Sequence, residues 1–127
     1  MRFLLTPLAL YHGANGALML AAPELWYSIV PDVGHTGPLN AHFVRDIGLA
    51  FIAAAAGLVI AALNFKNSIA LWPAAIFLAG HAGLHMAELG VHGAPPLAGA
   101  RDLATIVVPG LLPLFLLTFP WKKEVRS

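Results

Sequence analysis

The stretch AHFVRDIGLAFIAAAAGLVIAAL, residues 41–63, has its only formal charges at Arg45 and Asp46 and is apolar without a break from Ile47 to Leu63. A helix rises ~1.5 Å per residue, so roughly 20 such residues cross the ~30 Å of a bilayer's hydrocarbon. A helix can do so because it bonds every backbone N–H and C=O within itself, where lipid offers no partner. Three further apolar runs, roughly 3–22, 69–90 and 102–119, meet the same condition, and the connections between them are short. The expected fold class is all-α: an integral membrane four-helix bundle in one domain, residues 1–127, with successive helices antiparallel.

Composition agrees with lipid surroundings. Hydrophobic residues make up 59% of the chain and charged residues 10%, against about a quarter charged in soluble domains. Mean hydropathy is +0.79. The net charge of +1 carries no signal for nucleic acid, so the expected partners are the bilayer and either further copies of the chain or a larger membrane complex. The absence of cysteine excludes disulfides, thiolate metal sites and iron–sulfur clusters. The first run resembles a signal peptide, but His12 and Asn15 interrupt it and Pro23 follows it closely, so it reads as a retained span.

Basic residues set the expected orientation. Arg2 precedes the first run, Lys66 separates the second from the third, and Lys122, Lys123 and Arg126 follow the fourth. The stretches 23–40 and 91–100 hold no Lys or Arg, so the positive-inside rule puts both termini in the cytoplasm of a multi-pass protein of the bacterial inner membrane. Depth follows from that orientation. His42, Arg45, Asp46, His85, Glu88, Arg101 and Asp102 are expected within about 10 Å of the outer boundary, with His12 and His81 nearer mid-membrane. The cytoplasmic half is almost purely apolar, so the polar groups are expected to converge on one outward-opening pocket.

The stretch HAGLHMAELGVH, residues 81–92, aligns His81, His85, Glu88 and His92 on one helical stripe. Ionisable groups inside a span are costly and default to function. His81 and His85 form an HxxxH pair able to reach one ion, and His42 with Asp46 forms a second i,i+4 pair at the same depth. His42, His81, His85, Glu88 and Asp46 are therefore the candidate ligands for zinc, copper or non-haem iron. Alternatively, one histidine from each of two facing helices would ligate a haem iron. Arg45, Arg101 and Asp102 are assigned to charge balance or anion binding. Arg45 is expected to pair with Asp102 or Glu88, and Arg101 with Asp46, as a clamp between helices.

His12 is expected to bond Asn15 or a backbone carbonyl in mid-membrane, and His35 and His92 to be solvated. Small residues (Gly13 and Gly16; Gly48, Gly57 and the alanines 53–56) fit close helix contact. Pro109, Gly110 and Pro113 predict a kinked fourth helix whose freed carbonyls neighbours must satisfy. Trp26, Tyr27, Trp72 and Trp121 sit where interfacial belts form, and PDVGHTGPLN, residues 31–40, reads as an ordered turn or short cap. A loose parallel between His12…Arg45-Asp46 and His81…Arg101-Asp102 suggests two related hairpins.

The stretch TGPLNAHFVRDIGLAF, with YHGANGALMLAAPELWY before it and HAGLHMAE after it, resembles a group of small bacterial inner-membrane proteins with no assigned chemistry to transfer. In size and helix count the chain also resembles DoxX-type four-helix membrane proteins. No nucleophile–base pair or phosphate loop is evident, and histidine-rich diiron enzymes need more histidines. Three functions stand as expectations: metal or haem binding near the periplasmic face for redox transfer or metal handling; a proton-coupled small-molecule transporter or exporter subunit; and a structural accessory subunit of a membrane complex.

Overall fold

The computed structural model describes residues 2–63 and 68–118. Lys66, Lys122, Lys123, Arg126 and Trp121 lie outside the described residues, as does the expected end of the fourth helix at residue 119. All regular elements among the described residues are helical. They are α1 (Arg2–Ala21), α2 (Pro23–Ile29), α3 (Ala41–Leu63), α4 (Leu71–His92), α5 (Pro96–Asp102) and α6 (Val108–Leu117), with short 3-10 turns at Val33–Thr36 and Ser68–Ala70. Between α5 and α6, residues Leu103–Val107 form a π-helical turn that joins the two into one continuous span.

Among the described residues, four helical stretches are long and apolar enough to cross a membrane: Phe3–Ala21, Ala41–Leu63, Leu71–His92 and Pro96–Leu117. The second matches its sequence reading. The third begins after a 3-10 turn that takes up Ser68–Ala70. The fourth begins at Pro96 rather than at residue 102, because Pro95-Pro96 starts the helix where proline's missing N–H costs nothing. The outward faces are apolar: Phe3, Leu10, Ile76, Leu63 and Val91 are all well exposed. Spans apolar on every side suit lipid rather than water.

The core runs through the centre as Leu5, Leu58, Leu71, Leu78 and Leu116, each almost fully buried, with Phe51 and an alanine set (Ala54, Ala61, Ala74) on the facing seams. α1 packs along α3, α3 along α4, and α4 along α6. α1 makes no extended backbone packing against α6.

Close contact depends on glycine at three places, one being Gly57 of α3, where a Cβ would stand 2.7 Å from the Ala70 carbonyl oxygen before α4. A Cβ on Gly16 would stand 2.6 Å from the Gly48 carbonyl oxygen, and one on Gly48 would stand 2.9 Å from the Gly16 carbonyl oxygen, so α1 and α3 touch backbone to backbone. A Cβ on Gly110 would stand 2.8 Å from both Ala82 Cβ and the Leu78 carbonyl oxygen, which seats α6 directly on α4. In a bilayer, where no hydrophobic force draws helices together, close dispersion contact of this kind is the general means of association.

Candidate functional site

α4 carries the imidazole stripe because its apolar residues Leu71, Ala75, Leu78 and Ala82 turn inward, leaving His81 and His85 on the flank of the buried face. The His81 and His85 rings lie 4.9 Å apart at 71°. Both are partly buried, while Glu88, one turn further on, is exposed, as is His92. The stripe therefore runs from the interior to the exposed C-terminal end of α4.

Inward from His81 the stripe meets aromatic rings. The Phe51 ring of α3 stands at 86° to His81 with centroids 5.4 Å apart, and Phe77 lies near-parallel to His81 at 6.2 Å. Phe51 also stacks at 5.8 Å on His12 of α1. His12 is 4% exposed, and its Nε2 has no hydrogen-bond partner. Phe51 thus sits between two imidazoles from opposite helices, and Tyr11 meets His12 edge-on at 5.2 Å.

Asn15 is engaged elsewhere: its carbonyl accepts the Trp26 indole N–H at 2.9 Å, and its amide faces Met19 Sδ at 3.6 Å. His12 instead lies beside the Pro109 carbonyl, the backbone alternative expected from the sequence. That carbonyl has no α-helical donor because Pro113, four residues on, has no N–H. Pro109 likewise removes the donor for Thr105, and the Tyr11 hydroxyl donates to the Thr105 carbonyl at 2.7 Å. Two consecutive residues of α1 therefore attend the two carbonyls released by the prolines of the fourth span.

The remaining charged groups are distributed differently from the sequence reading. His42 and Asp46 do pair, Nε2 to Oδ2 at 3.4 Å, but on the exposed face of α3, with side chains 89% and 56% exposed. Among the described residues, no three histidine, aspartate or glutamate side chains gather as metal ligands. The expected joint set of His42, His81, His85, Glu88 and Asp46 is thus not assembled within the chain. The physical reason is rotational: the start of α3 turns His42 and Asp46 outward, while Val44 and Gly48 take the inward positions at that level.

The expected clamp between helices is also corrected. Arg45 donates from Nε to the Leu20 carbonyl at 3.3 Å, covering one of the orphan acceptors of the last turn of α1. Arg101 reaches Asp102 through Nε at 3.0 Å and Nη2 at 2.8 Å, and Asp32 through Nη2 at 2.6 Å. The neighbour pair forms because the long arginine stem folds back across the 100° between adjacent helical positions. Asp32 is itself a left-handed turn residue (φ 63°) at the start of the Val33–Thr36 turn. Arg101 holds its carboxyl below the usual range, by hydrogen bond first and by charge second. This loop is closed further by the Tyr27 hydroxyl donating to the Gly37 carbonyl at 2.5 Å.

Asp32, Tyr11, Phe51 and Phe77 were not singled out by the sequence reading. Tyr11 was detectable in principle, as a hydroxyl in mid-span with a proline pair to serve, whereas Phe51 looks like any core residue. No protein family, curated protein or solved structure matches the chain.

Proposed function

We propose that this chain is a multi-pass protein of the bacterial inner membrane, with both termini cytoplasmic, that moves protons along His81, His85 and Glu88 as a subunit of a proton-coupled small-molecule transporter. The observation that carries this reading is the graded stripe on α4: two imidazoles 4.9 Å apart, passing from the partly buried His81 to the exposed Glu88. Imidazole gains and loses protons near neutral pH, and a carboxylate at the outer end can accept from water or deliver to it. The aromatic wall of Phe51 and Phe77 keeps the inner end dry. Four spans are few to enclose a substrate path, so the transporter would be built from several copies or from this chain and a membrane partner.

The test is proton flux. In proteoliposomes under an imposed potential, the wild-type chain should acidify or alkalinise the lumen, and His81→Ala and His85→Ala should each abolish the signal. Equal flux in wild type and both variants would sink the proposal.

A second reading keeps the transition metal (copper, zinc or iron) or haem. It is favoured by the i,i+4 spacing and close approach of the His81 and His85 rings. Since no third ligand joins them among the described residues, the missing ligands would have to come from another copy or a partner. Elemental analysis and an ultraviolet–visible spectrum of untagged protein decide this reading. Stoichiometric metal or a Soret band, lost in the His81→Ala, His85→Ala double variant, would establish it, and colourless metal-free protein would end it.

A further inference from the structure

The fourth span concentrates every feature that weakens a helix. Its Leu103–Val107 turn is π-helical, the Val108 amide bonding back to the Leu103 carbonyl, and Pro109, Gly110 and Pro113 follow at once. π-turns and prolines are the usual places where helices bend. Gly110 is seated against the backbone of α4 at Leu78, and the π-turn before it also packs on α4 with Val107 buried, whereas α5 makes no extended packing against α4. Pro96, Leu97 and Leu103 on that outer half are exposed.

The carbonyls that the prolines release must find donors, because lipid has none. They find them on α1: Tyr11 on Thr105, with His12 beside Pro109. These are notable because α1 does not pack its backbone along the fourth span, so this side of the bundle is spanned by side chains. Further out, the same side is crossed once more by Arg101 on Asp32.

We infer that the fourth span is a hinged helix, latched to α1 by the Tyr11 hydroxyl on the Thr105 carbonyl, whose outer part (α5 and the start of the π-turn) swings on the seat that Val107 and Gly110 make against α4 when the latch is released. Tyr11 is a positioning residue: it stands in for the amide that Pro109 lacks. The swing opens the side of the bundle between α1 and the fourth span, while the glycine-bound α1–α3 and α4–α6 pairs stay intact. The inference is independent of what the imidazole stripe carries.

The chain has no cysteine, so a nitroxide pair can be placed at Leu25→Cys and Leu97→Cys, both on exposed sites. Wild type should give one distance between them. Tyr11→Phe, which removes only the hydroxyl, should add a second, longer distance. Amide exchange over residues 103–112 should also rise about fivefold, the factor expected for one net hydrogen bond, with α1 and α3 unchanged as the check on folding.

Pro109→Ala restores the missing N–H, so in that background Tyr11→Phe should change neither readout. An unchanged distance and unchanged exchange in Tyr11→Phe would overturn the latch. So would an effect of Tyr11→Phe that persists at full size in Pro109→Ala, since the hydroxyl would then be serving something other than the proline's orphan carbonyl.

Discussion

Replacing glycine by alanine should have opposite consequences at two places in this chain. In a helix interior alanine is favoured over glycine by about 1 kcal/mol, so a harmless site should gain stability. Gly83 is such a site: a Cβ there meets nothing within 4 Å. Gly16 is the contrary case. Its Cβ would stand 2.6 Å from the Gly48 carbonyl oxygen, 2.9 Å from Phe51 Cβ and 3.0 Å from Ile52 Cγ1. The first is backbone and the second is fixed to it, so no rotamer change relieves them, and α1 must move off α3 by several tenths of an ångström.

Overpacking of this kind costs about 1–3 kcal/mol, and a clash with backbone on both sides belongs at the upper end. Subtracting the propensity gain of about 1 kcal/mol leaves Gly16→Ala less stable by roughly 2 kcal/mol. Gly83→Ala should be neutral or better. Unfolding in mixed micelles, followed by tryptophan fluorescence as denaturing detergent is added, measures both. Trp26 reports on the affected side, since its indole is bonded to Asn15 on α1. Equal stability of Gly16→Ala and wild type, or a loss in Gly83→Ala as large as in Gly16→Ala, would refute the idea that backbone contact at this crossing holds the pair together.

Phe51→Ala should lose about 3 kcal/mol through the cavity it leaves, and the His81 imidazole should become accessible to carbethoxylation, which wild-type packing suppresses. His42→Ala should leave unfolding midpoint and proton flux as in wild type, because its partner Asp46 and the imidazole itself are largely exposed; loss of flux would bring α3 into the relay. Asp32 has its pKa lowered in the folded chain from 3.8, so its bond to Arg101 stabilises the fold above that pH and the contribution disappears as pH falls through the lower folded value. The unfolding midpoint should therefore drop on acidification below about pH 4, and Asp32→Asn should flatten that acid limb without altering the curve's shape near neutrality.

The spans were legible because lipid imposes a crude rule, length plus apolarity, that the run from Ile47 to Leu63 satisfies alone. Helix breaks were legible too: Pro109, Gly110 and Pro113 announced freed carbonyls, and Tyr11 and His12 supply their neighbours. What failed was rotation. Depth placed His42, Asp46, Arg101 and Glu88 at one level, but level says nothing about azimuth, and α3 turns His42 outward while Val44 and Gly48 take the inward places. The partner of Arg101 failed for a related reason. Asp32 lies in a loop whose left-handed turn and Tyr27–Gly37 tie fold it back over the fourth span, a path that no helical periodicity encodes. Of the stripe, His81 and His85 came together as their spacing requires, because i,i+4 neighbours on one helix need no tertiary information.

The π-turn at Leu103–Val107 has one more consequence. Deleting a residue from an ordinary span rotates everything downstream by about 100° and drags it ~1.5 Å along the axis, which would unseat every seam that follows. Here the wide turn already holds one residue more than an α-helix uses. Removing Ala104 would let the ladder close in the regular i→i+4 pattern, with Arg101 before it and Gly110 after it still facing the same neighbours. The fourth span carries a spare residue, and its length can change by one without altering the faces it presents.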